Sequence, residues 1–304
     1  MTDVLEPPAL REWLVAHDWI VLTGADGVVA RTARFVAVEQ AVERLVGRTG
    51  ADLEARVLRF PPVFPRAAYE RTDYLASFPT LTGSVHSFDG DEKGAARLVE
   101  QALAGEPWGD GLHQTDLMLV SAACHPAYEL FAGSTVGSTV VLDVEGWCFR
   151  REPSVDPLRV QAFRQSEFVV LGSPERAQQH RDDWAERGLA LLTSLGLPAA
   201  VEVANDPFFG RSGRMLAANQ RAEVLKLEVV VPIYGDHRPG TALVSANCHR
   251  DHFGVNFHIA LPDGTPAHTA CVGFGVDRIV VGLARHLGAD PDSWPSSVRD
   301  LLWP

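Results

Sequence analysis

Two stretches gather cations, glycines and soft ligands in a pattern that could do chemistry. Residues 148 to 172 read CFRREPSVDPLRVQAFRQSEFVVLG, a strand, a proline-containing loop and a second strand. They carry Arg150, Arg151, Arg159 and Arg164, interleaved with Glu152 and Glu167. Guanidinium forks match phosphate, but they also match carboxylate, so the cluster fits either a phosphate-binding hairpin or a solvated one laced with surface ion pairs. Residues 268 to 288, HTACVGFGVDRIVVGLARHLG, carry a strand through Cys271, Gly273 and Gly275 into a helix with Arg278 in its first turn. Glycine lets a ligand approach the backbone, and a helix N-terminus favours anions. Both stretches suit a nucleotide. The four cysteines, Cys124, Cys148, Cys248 and Cys271, form no CxxC pair, so any metal ligands must be assembled by the fold. Cys148 and Cys248 read as small core residues. His249, His252 and His258, in and after NCHRDHFGVNFH, read as structural histidines.

The elements that must position these residues follow from pattern. With 304 residues, 46% of them hydrophobic and 22% charged, the chain can bury a large core. The start, MTDVLEPPALREWL, has no basic lead into an apolar run, and no apolar stretch approaches the roughly 18 residues of a membrane span, so a soluble cytoplasmic protein is expected. A net charge of -12 disfavours a general polyanion binder, although it leaves room for a local basic patch. Helical spacing marks RFVAVEQAVERLVG, GAARLVEQALAG ending at Gly105, a short helix around RAAYERTDYL, and SPERAQQHRDDWAERGLALLTSLG, with Ser173 as cap and Pro174 in the first turn. A last helix after Gly275 places Ile279, Leu283 and Leu287 on one face. Strands are expected at STVVLDVEGWCFRRE, EFVVLGS, KLEVVVPIYG, TALVSANCH and FGVNFHIAL. Consecutive strands imply antiparallel pairing, hence an α+β architecture with helices packed on a mostly antiparallel sheet.

FRRE followed by a loop and RVQAF resembles motif 2 of the class II aminoacyl-tRNA synthetases, and GFGVDR at a helix head resembles their motif 3. FPPVFPRAAYERTDYLASFP, CHPAYELFAG and NDPFFGRSGRMLAANQ narrow the resemblance to the amino acid:carrier protein ligases, which are similar to the catalytic core of methanogen-type seryl-tRNA synthetases. The resemblance spans nearly the whole chain, 1–304, as a single synthetase-like domain without a tRNA-binding appendage. It implies adenylation of a small amino acid, glycine or alanine, by ATP, then transfer to the phosphopantetheine thiol of an acidic carrier protein. It further implies Arg150 on the α-phosphate, Glu152 on the adenine or amino-acid side, Phe163 stacked on adenine, and Arg159 and Arg278 on the nucleotide, with magnesium between phosphate oxygens. Cys124, Glu167 and Cys271 match the family's zinc ligands. Where relatives place an acidic magnesium ligand, this chain has Thr241 and Ser245, leaving Glu228 as substitute. Residues 204–226 form an inserted helical segment bearing Arg211, Arg214, Arg221 and Lys226, a basic surface suited to the carrier. A homodimer through a motif 1 region at residues 58 to 80 is expected, and no tRNA. The competing readings are a catalytically silent paralogue that binds an amino acid or a protein, and a true tRNA-aminoacylating enzyme.

Overall fold

A computed structural model describes residues 6–137, 139–206, 215, 217–218 and 220–304. The chain opens with α1 (Pro7–Ala16) and a hairpin, β1 (Ile20–Leu22) and β2 (Val29–Arg31). Thr32 then caps α2 (Ala33–Thr49), which buries Phe35, Val38, Val42 and Leu45 as the spacing predicts. The proline-rich stretch that follows forms β3 (Arg56–Arg59), β4 (Val63–Pro65), α3 (Arg66–Arg71) and α4 (Tyr74–Ser77). The last two were expected as one helix and are broken by Asp73, at φ +56°. β5 (Ser84–Ser87), α5 (Glu92–Ala104), β6 (His113–Leu119) and α6 (His125–Glu129) complete the first half. Gly105 ends α5 in the left-handed region, the role expected of it.

The second half supplies β7 (Val140–Phe149), β8 (Ala162–Gly172), α7 (Pro174–Ser194), β9 (Ala200–Val203), β10 (Lys226–Val231), β11 (Thr241–Arg250), α8 (His252–Asn256), β12 (His268–Gly275), α9 (Val276–Leu287) and α10 (Ser296–Leu302). Seven strands form one sheet in the order β3-β7-β8-β12-β11-β10-β9. Six pair antiparallel, and β3 runs parallel to β7 at one edge. A small second sheet has the order β4-β6-β5. The α+β expectation holds, with one correction: FGVNFHIAL is not a strand. Its first residues continue α8, where Phe253 and Phe257 pack on Tyr128, and His258 turns the chain at φ +54°.

Register divides the sheet into two chemical faces, because side chains of paired residues project to the same side. Phe168 pairs with Val272 and Val244 with Phe274, and their face meets α7, where Trp184 stacks on Phe168 at 4.5 Å and meets Phe274 edge-on. The other face carries Cys148 opposite Phe163, Gly273 opposite Glu167 and Ser245, and Asn247 opposite Cys271. This second face is the candidate site.

Candidate active site

A cavity of about 770 Å³ opens over the polar face of the sheet. Arg150, Glu152, Arg159, Phe163 and Arg278 line it together with Cys124, Glu167 and Cys271, so the predicted nucleotide and metal residues meet in one space. Arg150 follows the end of β7; its Nε donates to Ser121 O at 3.1 Å and its guanidinium lies 5.3 Å from the Phe163 ring centre. Arg278 donates from Nε to Leu158 O and from Nη1 to Ala242 O, both at 3.0 Å. Among the described residues neither guanidinium has a carboxylate within ion-pair distance. Burial, with Arg150 as neighbour, pulls Arg278 below the usual guanidinium range. Two adjacent cations held only by carbonyls call for an anion to complete them.

Arg159 sits at the exposed side of this wall, with its side chain 60% accessible and Glu152 and Asp156 each at 3.9 Å. Arg164 departs from the expected arginine cluster. It projects to the opposite side of the hairpin, where it pairs with Glu43 at 2.7 Å and with Glu145. The alternation of β8 requires this, since Arg164 lies one residue out of phase with Phe163 and Gln165.

In the same cavity the ligand atoms of Cys124, Glu167 and Cys271 all lie within 4.8 Å of one another, and all three residues are buried. Strand period explains part of this. Cys271 and Gly273 alternate onto one face, and Gly273 pairs with Glu167. Burial raises Glu167 to about 7, and the Cys271 thiol, burial and the Glu167 charge together push Cys124 well above the usual thiol range. Glu167 Oε2 is buried without a hydrogen-bond partner. Three crowded acidic groups with an orphaned oxygen fit a divalent cation, and two thiols with a carboxylate suit zinc.

Around them Asn247 Nδ2 and His249 Nε2 lie 3.7 and 3.6 Å from Cys271 Sγ, while His249 Nδ1 meets Thr269 Oγ1 at 3.1 Å. His249 thus supports a cysteine rather than joining the triad. His252 packs by Thr72 O and Asp73, and His258 is an exposed turn residue.

Cys148 is buried, but its thiol also donates to Gln165 Oε1 at 3.1 Å, and the same oxygen accepts from Ala123 N at 3.2 Å. Gln165, which the sequence reading passed over, therefore ties β8 to the loop that presents Cys124. Its signal was its place two residues before Glu167 on a period-2 strand. Glu228 and Ser245 line the cavity, yet the Glu228 carboxylate is paired with Lys226 at 3.0 Å, and Thr241 lies at the start of β11 opposite Val231. Lys226 is corrected as well: it is buried at the start of β10 against Asp206 and Glu228, not displayed on a basic helix. Arg211 and Arg214 lie outside the described residues.

The six-stranded antiparallel array with its parallel edge has the fold of the catalytic core of the class II seryl-tRNA synthetases. The seryl-tRNA synthetase of M. kandleri, solved in complex with A. aeolicus tRNASec, superposes with a TM-score of 0.84 over 99% of this chain and 61% of that one, at 23% identity. Amino acid–acyl-carrier-protein ligase 1 of Bradyrhizobium diazoefficiens is 42% identical over 283 residues, 92% of this chain and 86% of its own. The chain belongs to that family of ligases. It is also 32% identical to the type-2 serine–tRNA ligase of Methanococcus aeolicus over 64% of this chain, but only 38% of that protein. No family model matches the sequence. No helix among the described residues is long and apolar enough to cross a membrane.

Proposed function

We propose that this ligase activates glycine or alanine with ATP and then loads the aminoacyl group onto the phosphopantetheine thiol of an acidic carrier protein. The observation that carries the reading is a single cavity lined both by two guanidinium groups that have no carboxylate at ion-pair distance among the described residues and by a buried Cys–Glu–Cys triad. In the first step an amino-acid carboxylate oxygen attacks the α-phosphorus of ATP and the bond to pyrophosphate breaks. Arg150 and Arg278 stabilise the charge that develops on the phosphoryl oxygens, and Phe163 offers the adenine a face beside Arg150. Glu152 and Arg159 flank the nucleotide at the open side. In the second step the carrier's thiolate sulfur attacks the acyl carbon and AMP leaves.

Zinc held by Cys124, Glu167 and Cys271 would leave one position for the substrate amino group, gripping a molecule too small to be recognised by its side chain. Asn247 and His249 keep the Cys271 sulfur oriented toward Cys124 and Glu167. Magnesium belongs with the phosphates, and Glu228, which lines the same cavity, is the carboxylate assigned to it. The segment 204–225, which lies between β9 and β10 in the sequence, is assigned to the carrier through Arg211 and Arg214. The protein is a cytoplasmic homodimer paired through residues 58 to 80, with the whole chain as one catalytic domain; sedimentation showing only monomer at micromolar concentration would remove the dimer.

The deciding experiment is amino-acid-dependent ATP–pyrophosphate exchange, followed by transfer to pantetheinylated carrier protein or to tRNA. Exchange with glycine or alanine and loading of the carrier is expected. No exchange with any small amino acid would leave a silent paralogue, and loading of tRNA instead would make it a synthetase.

A further inference from the structure

The two cations facing the cavity are held through their chain neighbours, and those neighbours lead to the N-terminal hairpin. The motif 2 loop rests on the hairpin tip: Gln161 N donates to Gly27 O at 2.7 Å, and Gln161 Nε2 to Asp26 O at 2.8 Å. Arg150 N in turn donates to Gln161 O at 2.9 Å, closing the loop at its base. Gly27 has φ +73°, and a Cβ there would lie 3.1 Å from Glu152 O and from Gln161 Cγ, and 3.4 Å from Arg159 O. The backbone of two cavity residues therefore closes directly on a position that only glycine fills without strain.

Further along the hairpin, Arg31 donates to Asp277 Oδ1 and pairs with Glu39 at 2.9 Å, its side chain only 8% exposed. The second Asp277 oxygen accepts from Arg164 N at 2.7 Å. Asp277 immediately precedes Arg278, and Arg278 Nε reaches back to Leu158 O in the same motif 2 loop. Hairpin, loop and helix head are thus joined by hydrogen bonds through the residues that flank Arg150 and Arg278. A buried ion pair adds little net stability over well-packed apolar residues, so the role tested below is a positional one.

We infer that the β1–β2 hairpin, residues 20–31, forms a clamp that presets Arg150 and Arg278 for ATP, with Gly27 and Arg31 as its positioning residues. The inference rests on the ATP reading above. An unclamped loop samples other conformations, and ATP affinity falls by the fraction that remains competent. If that fraction drops to about a tenth, binding weakens about tenfold.

The test compares the full chain with Arg31→Met, Arg31→Lys and Gly27→Ala, measuring magnesium-ATP binding by calorimetry and KM values in pyrophosphate exchange. Arg31→Met and Gly27→Ala should each weaken ATP binding and raise KM for ATP about tenfold, while KM for the amino acid and zinc content stay at wild-type levels. Arg31→Lys, which keeps the charge, should recover part of the loss. Unchanged ATP affinity with a lower melting temperature, or equal loss for ATP and amino acid, would reduce the hairpin to scaffold and overturn the clamp. Should Arg31→Met fail to fold, Gly27→Ala at the hairpin tip decides alone. Wild-type protein that neither binds ATP nor supports exchange would instead defeat the ATP reading, so the two failures are distinguishable.

Discussion

Gly273→Ala tests whether the sheet face is packed as tightly around the site as its register implies. A Cβ built at Gly273 lies 2.7 Å from Gln165 Nε2 and 3.5 Å from Glu167 Oε1. The amide must retreat by about 0.7 Å to reach ordinary contact, and retreat is costly because its oxygen is already engaged by Ala123 N and Cys148 Sγ. Overpacking of this kind costs about 1–3 kcal/mol, and releasing the buried Ala123 N–H costs a similar amount if both are fully expressed. Partial relaxation of the flexible side chain makes about 2 kcal/mol the expected loss, roughly 3 °C in melting temperature for a chain of this size. The loop that presents Cys124 should shift with Gln165, so zinc content should fall along with stability. Urea unfolding and metal analysis of Gly273→Ala, Gln165→Ala and the double variant form a mutant cycle. The clash predicts a coupling of about 1–2 kcal/mol, with alanine at 273 better tolerated once Gln165 is truncated. Strict additivity, or a Gly273→Ala protein within a few tenths of a kcal/mol of wild type, would refute the packing argument.

Burial lowers His180 to about 4, its Nε2 bonded to Phe168 O at 3.0 Å, so the native ring stays neutral where an unfolded histidine protonates near 6.5. Its contribution is complete above pH 6.5 and is lost as pH falls toward 4; wild type should therefore lose urea resistance relative to His180→Gln by up to about 1.4 kcal/mol per pH unit in that window, and parallel curves would contradict this. Reversing Arg211 and Arg214 to Glu should cut transfer to the carrier at least tenfold while pyrophosphate exchange stays intact, in line with electrostatic steering of an acidic partner. Equal loss of both steps would mean that the segment serves the fold or the adenylation step instead.

Much of the fold was legible because its strands and helices are strongly periodic: α2, α7 and α9 fall where Phe35, Trp184 and Ile279 recur at helical spacing. The parallel edge β3 was not, since a four-residue strand with an exposed Val57 has no pattern of its own and exists by pairing with β7. FGVNFHIAL misled because its aromatics, which suggest β structure, are used to pack a helical turn on Tyr128. The site residues named from resemblance gather in one cavity, and local spacing alone could not have joined Cys124 to Cys271. Arg164 and Lys226 show the opposite limit. A run of cations reads as one patch until strand phase and buried partners separate its members. Gln165, Asp277 and Gly27 act through contacts distant in sequence, which no spacing rule exposes.

The central claim is that the triad holds a metal that grips the substrate, and Cys271→Ser tests it most directly. Metal analysis of the purified wild type should find about one zinc per chain, bound by three protein ligands with one position open. Cys271→Ser should lower that content and abolish amino-acid-dependent pyrophosphate exchange, whereas Cys248→Ser, whose sulfur lies on the other face of the sheet among Val170, Ala177 and Ala270, should retain both. Wild-type protein that activates glycine or alanine fully without stoichiometric metal, or a Cys271→Ser enzyme with normal exchange, would contradict the account.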